Sequence, residues 1–381
     1  MADPATPAWL TAIDIERAVR SMPGFRDASL VKWSGSPLAG GGGECLGVWR
    51  LEGIATVVSE PTPWSVVLKG WPRQETAAPP SAWNWPHREA ELYRSGMLGD
   101  IPGGIRAPGC FGDVEREDGS VWVWLEDITD GVRGPWSLDR YEAIARRLGQ
   151  FNGASLAARP LPDTMFLSRH ALRDWVELAG PALEAFMGDA ELARRFGVYP
   201  PEVLEAFGEL WSQRHALYEE MARLPQVFGH LDAFSRNIFI RQHPGEPDDT
   251  ILIDWSFAGI GAIGEELGPL VGASVVFMDA PGSDIEEMSE AVLEGYIAGL
   301  KDASWNGDFD VVRRVFHVAM ALRYGVGVMR AILLFSLDPS GPQMIETLIG
   351  HPHEEFTSHL LAFNTWVART TAPWSTDGII R

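Results

Sequence analysis

The sequence predicts an α+β molecule in two lobes, a small β-rich amino-terminal part over residues 1–126 and a larger, mainly helical part over 127–381. Three observations predict it. Short apolar runs alternating in strand fashion crowd the first third of the chain. Beyond Pro135 the apolar residues recur at helical spacing. A group of short strands around 226–254 then interrupts the helices and carries an unusual set of polar side chains.

In chain order, a short amphipathic helix is expected over 12–22, followed by strands at 29–33, 45–51 and 65–69. Between the first two strands stand Gly40, Gly41, Gly42 and Gly43. A glycine run lets backbone amides approach a phosphate, although it is also the composition of a loose hairpin turn. Lys69 closes the apolar strand Val66, Val67, Leu68. A lysine at a strand end usually reaches for solvent. The next helix runs over 85–94, with Pro86 in its first turn and Glu89 and Glu91 both available as partners for a cation. Strands at 109–114 and 120–125 flank an Asp118-Gly119 turn, after which Glu126, Asp127 and Ile128 leave the strand. Helices follow over 138–156, 182–196, 200–223, 284–300, 310–335 and 353–369.

The chemistry concentrates in one stretch. His230, Leu231, Asp232, Ala233, Phe234, Ser235, Arg236 and Asn237 join two short strands, and Asp254 ends the apolar run 250–253. Asp and Asn in such a loop are common turn formers, because their side chains bond to nearby backbone. Two carboxylates and a carboxamide at this spacing also suit phosphoryl transfer, which needs a base for the attacking hydroxyl and oxygen ligands for Mg²⁺.

This stretch resembles the Brenner-type motif of the aminoglycoside phosphotransferase and choline kinase-like family, His-Gly-Asp-x4-Asn followed by Ile-Asp-Trp or Ile-Asp-Phe. The resemblance extends over nearly the whole chain and implies a two-lobed protein-kinase-like fold. It implies Asp232 as catalytic base, Asn237 and Asp254 as Mg²⁺ ligands, and His230 as an anchor of the catalytic loop. It gives Lys69 the α- and β-phosphates of ATP and, through the family's Arg-Glu pattern at Arg88-Glu89, makes Glu89 the partner of that lysine. Gly41, Gly42 and Gly43 would cover the phosphates, and the backbone of Glu126 and Ile128 would hold the adenine edge, with the Asp127 side chain structural. Two departures stand out: Leu231 replaces a small residue, and Glu266 replaces the aspartate that braces the catalytic loop.

A net charge of −21 argues against a nucleic-acid partner. It favours a cationic small-molecule substrate by steering, although acidic balance is also a common solubility device. Acidic side chains near the cleft would favour amines, whereas tryptophan and asparagine would favour neutral sugars or nucleosides. Most of the 16 tryptophans are expected in the core. Cys45 and Cys110 form neither a disulfide framework nor a metal-ligand spacing, which makes a cytoplasmic setting the expectation. The first ten residues lack a secretory pattern, and no run is expected to cross a membrane. Two rivals are a nucleotide-binding pseudokinase, supported by Leu231 and Glu266, and a metal-dependent hydrolase, which lacks a dense His/Asp cluster.

Overall fold

The structure, a computed structural model, describes residues 6–38, 45–73, 79–128, 135–157, 159–242 and 248–371. The glycines 40–43 lie outside the described residues. Among the described residues the strands are β1 (Ser29–Pro37), β2 (Gly47–Val57), β3 (Glu60–Trp71), β4 (Ile105–Arg106), β5 (Cys110–Glu115), β6 (Val121–Glu126), β7 (Gln226–Gly229), β8 (Ile238–Arg241), β9 (Asp249–Leu252) and β10 (Gly259–Ala262). In the amino-terminal lobe β1-β2-β3-β6-β5 form one antiparallel sheet.

The period of two along β3 separates that sheet's faces. Trp64, Val66 and Leu68 pack outward with Leu51, Ala55, and Ile15 and Val19 of the helix Ala12–Arg20. That helix starts at a capping box between Thr11 and Asp14. Val67 and Trp71 face the other way, with Val121, Val123 and Leu125 of β6 and Ala90 of the helix Arg88–Arg94. Lys69 lies opposite Val123 in the ladder and shares this second face. Its strand continues to Trp71, so the lysine sits inside a packed layer and not at a free strand end.

The carboxyl-terminal lobe is built on the helices Leu138–Ala157 and Ile285–Asp302. They approach closely at Gly299, where an added Cβ would stand 2.0 Å from the carbonyl oxygen of Arg146. Two small sheets sit on this base, β7 with β10, and β8-β9-β4, in which β4 runs parallel to β9.

Several elements differ from expectation. The helix expected from 85 begins at Arg88, because the carbonyls of Ala82 and Trp83 before it are bound by the Trp85 N–H and by Arg88 itself. The single helix expected over 182–196 is two, Gly180–Gly188 and Ala190–Phe196, divided at Asp189, whose side chain caps the second. The stretch 310–335 is α-helical over Phe309–Met320, turns into a π-helix at Ala321–Val326, and resumes at Met329–Leu337. Phe309–Leu337 is long and apolar enough by length and composition to cross a membrane, and 61% of its most apolar window is buried inside the protein, as in a core helix. The helices Leu267–Val276 and Gly341–Ile349 are additional to those the periodicity predicts.

Candidate active site

On the inner face of β3, Lys69 is 6% exposed and its Nζ donates at 2.7 Å to Glu89 Oε2 and at 2.7 Å to Asp254 Oδ1. Burial alone would lower the lysine pKa, but the two carboxylates raise it above its ordinary value. Asp254 is held below the usual range: burial pushes it up, and Lys69 and the Ser256 hydroxyl more than offset that. Glu91, the other glutamate on the helix, turns outward to Arg94.

Glu89 is positioned by its neighbour. The fully buried Arg88 donates through Nε to Phe166 O at 2.8 Å, and through Nη1 to Trp83 O at 2.8 Å and Ser256 O at 2.6 Å. Its Nη2 bonds the carbonyls of Pro80, at 3.2 Å, and Ala82. Burial lowers this guanidinium to about 10, which leaves it charged at neutral pH. One side chain thus ties the helix to the segment that follows Asp254.

Asp254 itself has φ 61° and ψ 64°, a left-handed conformation. Its Oδ1 also accepts from Ser256 Oγ at 2.8 Å.

The loop after β7 begins with His230, which is wholly buried and lies against Trp255. Its Nε2 lies 2.9 Å from Ile253 O, and its Nδ1 accepts from the Asp232 N–H at 3.3 Å. A carbonyl can only accept, so the ring is the neutral Nε2–H tautomer; burial, pushing it down to about 4, agrees.

Leu231 has φ 58°, which explains why a small residue is common there. The left-handed conformation costs a non-glycine residue about 1–2 kcal/mol, while burying a leucine side chain returns about 1.5–3 kcal/mol. At 2% exposure Leu231 collects that return. Its N–H donates to Glu266 Oε1 at 3.0 Å, so the longer acid does reach the loop. The room comes from Gly229, where a Cβ would stand 2.1 Å from Glu266 Oε2.

Asp232 Oδ1 accepts from Arg323 Nη2 at 2.6 Å, and the same guanidinium bonds the Leu231 carbonyl. Asp232 Oδ2 is 3.2 Å from Asn237 Nδ2, which also donates to the Asp232 carbonyl at 3.0 Å. Burial raises Asp232 to about 6 against the lowering effect of Arg323. Asn237 closes a short 3-10 turn before β8, and its carbonyl accepts from the Ile253 N–H at 2.9 Å. Ile253 therefore links the Asp232–Asn237 pair to the Lys69–Glu89–Asp254 pair of contacts.

Glu126, Asp127 and Ile128 stand apart from those contacts. The Glu126 carboxylate accepts from Arg106, Arg241 and the Gly109 N–H, at 2.6–3.1 Å. Burial would raise it, but these donors bring it down to about 2. The Glu126 N–H donates to Gly109 O at 2.7 Å. Asp127 pairs with Arg50 at 2.9 Å, and Ile128 is buried.

Arg88, Ser256 and Arg323 are the site residues that sequence reasoning missed. Arg323 did leave a signal: it is the one Asp, Glu, Lys or Arg between residues 315 and 329, an otherwise apolar stretch. Among the described residues no three His, Cys, Asp or Glu side chains converge as a metal cluster. Asn237 and Asp254 offer instead a carboxamide and a carboxylate oxygen. That hard donor set suits Mg²⁺, which takes one or two carboxylates and completes its shell with water and phosphate.

A lysine on the third strand of an antiparallel sheet, tied to a helix glutamate above a helical lobe that carries the acidic loop, defines the protein-kinase-like fold. The profile of the phosphotransferase enzyme family matches residues 91–305, more than half the chain. The chain belongs to that family and is a phosphotransferase. No curated protein sequence matches it. Among solved structures, a choline kinase from Cryptosporidium parvum Iowa II is similar in fold, with 12% identity, a TM-score of 0.54, and 97% of this chain and 98% of that chain covered. An amicoumacin kinase in complex with AMP-PNP and Ca²⁺ is similar at 13% identity and a TM-score of 0.51, covering 96% of this chain and 95% of that one.

Proposed function

We propose that the protein is an ATP- and Mg²⁺-dependent phosphotransferase that phosphorylates a hydroxyl of a small molecule, in the range of an aminoglycoside-like antibiotic, an amino alcohol or a sugar. The observation that carries this reading is Lys69 Nζ, buried and bonded at 2.7 Å to both Glu89 and Asp254. A cation fixed by one carboxylate and shared with a second is ready to hold nucleotide phosphates.

In this reading Asp232 orients the acceptor hydroxyl and takes its proton. Its oxygens are already directed by Arg323 and Asn237, so the carboxylate needs little reorganisation. Asn237 and Asp254 would hold Mg²⁺, which supplies charge neutralisation at the phosphates. The Asn237 amide nitrogen is committed to Asp232, which leaves its oxygen as the donor. Glycines 40–43 would lie over the phosphates, and the backbone of Glu126 and Ile128 would take the adenine edge. The lobe boundary would then fall between 126 and 127, and the free thiols of Cys45 and Cys110 fit a cytoplasmic setting.

The test pairs two variants. Asp232→Asn should keep Mg-ATP binding by calorimetry while acceptor-dependent ADP formation falls by about 10²-fold or more. Lys69→Ala should lose Mg-ATP binding, with melting curves confirming that it folds. Undiminished turnover in Asp232→Asn would remove the assignment of the base, and Mg-ATP binding without turnover of any acceptor would favour the pseudokinase.

A further inference from the structure

We infer that the acceptor is an uncharged, ring-bearing alcohol, and that Arg323 is the residue that selects against cationic acceptors. The inference rests on the phosphotransferase reading above and narrows its substrate class.

The whole-chain charge of −21 points to a cationic substrate, but the groups around Asp232 point the other way. The guanidinium of Arg323, its side chain 12% exposed, sits 2.6 Å from the carboxylate that would receive the acceptor hydroxyl. An amine brought to Asp232 therefore meets a fixed positive charge at the reacting atom. The nearby carboxylates are also committed. Asp279 accepts from Ser235 Oγ at 2.7 Å and from Arg236 at 2.9 Å. Glu265, which also faces Arg323, accepts from the Ala262 N–H at 3.1 Å. Asp254 and Glu89 belong to Lys69. Each of these carboxylates thus already has a donor, with which an approaching amine would have to share it.

Beside this guanidinium stand aromatic rings. The Arg323 guanidinium lies 5.1 Å from the ring centroid of Phe257, three residues beyond Asp254. Phe257 packs with Trp83 and Trp175 at centroid distances of 5.8 and 6.2 Å, and all three rings are only partly buried. Ring faces beside a donor-rich guanidinium fit a flat or pyranose-like body with hydroxyl groups.

The experiment measures ADP release by the full chain with three acceptor sets: polycationic aminoglycosides, amino alcohols including choline, and uncharged nucleosides and aryl glycosides. Mg-ATP binding is followed by calorimetry in parallel. The expected result is turnover confined to the uncharged set. Arg323→Gln should lower absolute rates, because Arg323 also orients Asp232, yet raise the amine-to-neutral ratio of kcat/KM by roughly tenfold or more. Arg323→Lys keeps the charge and should leave that ratio near the wild-type value. Because the readout is a ratio, a general loss of activity does not mimic it. If Arg323→Gln does not fold, calorimetry of a polycation against the Mg-ATP-saturated wild type decides, with binding tighter than that of the uncharged set overturning the inference. So would preferential turnover of a polycation, or an unchanged ratio in Arg323→Gln. Mg-ATP binding with no uncharged alcohol phosphorylated overturns it as well, whereas absence of Mg-ATP binding overturns the phosphotransferase reading beneath it.

Discussion

Glu266 holds a carboxyl that water would keep ionised at neutral pH, yet it is wholly buried under the loop 230–237. Burial pushes it up to about 8 from an ordinary 4.5, against the lowering effect of the Leu231 N–H. The folded pKa lies above the unfolded one, so the folded state binds the extra proton between the two values. The stability this group contributes is therefore fully present below the unfolded pKa and lost as pH rises through the folded one. Glu266→Gln keeps a neutral acceptor for Leu231 and should remove that part of the slope. Melting temperatures compared near about pH 5 and about pH 9 check this: the wild type should lose more than the variant, and equal losses would show that another group carries the dependence. At this scale, residues whose chemistry demands their type were legible in the sequence. Lys69 betrayed itself as a charge on an apolar strand, and Asp232, Asn237 and Asp254 by their spacing. Arg323 was legible only as a lone charge in an apolar stretch; its role was not, because its partner is 91 residues away and nothing local ties the two together.

The helix Arg88–Arg94 is seven residues long, too short to be stable in water by itself. What holds it is the Arg88 fan of carbonyl contacts, together with Ala90 and Leu92 in the core. Arg88→Met should therefore destabilise the protein by about 3 kcal/mol or more, since it leaves several buried carbonyls unpaired. Urea unfolding with tryptophan fluorescence reads that loss, and a midpoint unchanged from wild type would mean that water replaces the guanidinium at no cost. Strands and long helices were legible from their periods. Boundaries set by single side chains were not: the start at Arg88 depends on remote carbonyls of residues 166 and 256. The cap at Asp189, by contrast, was a local signal that the helical periodicity on either side of it obscured. The π-helical turn of Ala321–Val326 shifts the helical phase where Arg323 leaves the core, and no periodicity reading anticipates such a shift.

Over the whole molecule, the family match spans 91–305 and so leaves out Lys69, Glu89 and Arg323, though it includes Asp232, Asn237 and Asp254. Half of the proposed machinery is thus contributed by segments whose sequence is less recognisable than their position in the fold. The two-lobed division was legible because the lobes use different periods. The ion-pair cluster at Glu126 was not, since Arg106, Arg241 and Glu126 come from β4, β8 and β6 and meet only when both lobes are in place.

The bond from Lys69 to Asp254 spans 185 residues of chain, whereas Lys69 and Glu89 are 20 apart. Contacts of long sequence separation form late, because the loop they close must first be ordered. Each lobe can gain its own secondary structure before that bond exists, so the site that Lys69 and Asp254 build together is expected to assemble after the helices. After dilution from denaturant, helical circular dichroism should recover ahead of nucleotide binding, followed with a fluorescent ATP analogue. Recovery of both signals at one rate would instead mean that the lobes fold as a single cooperative unit.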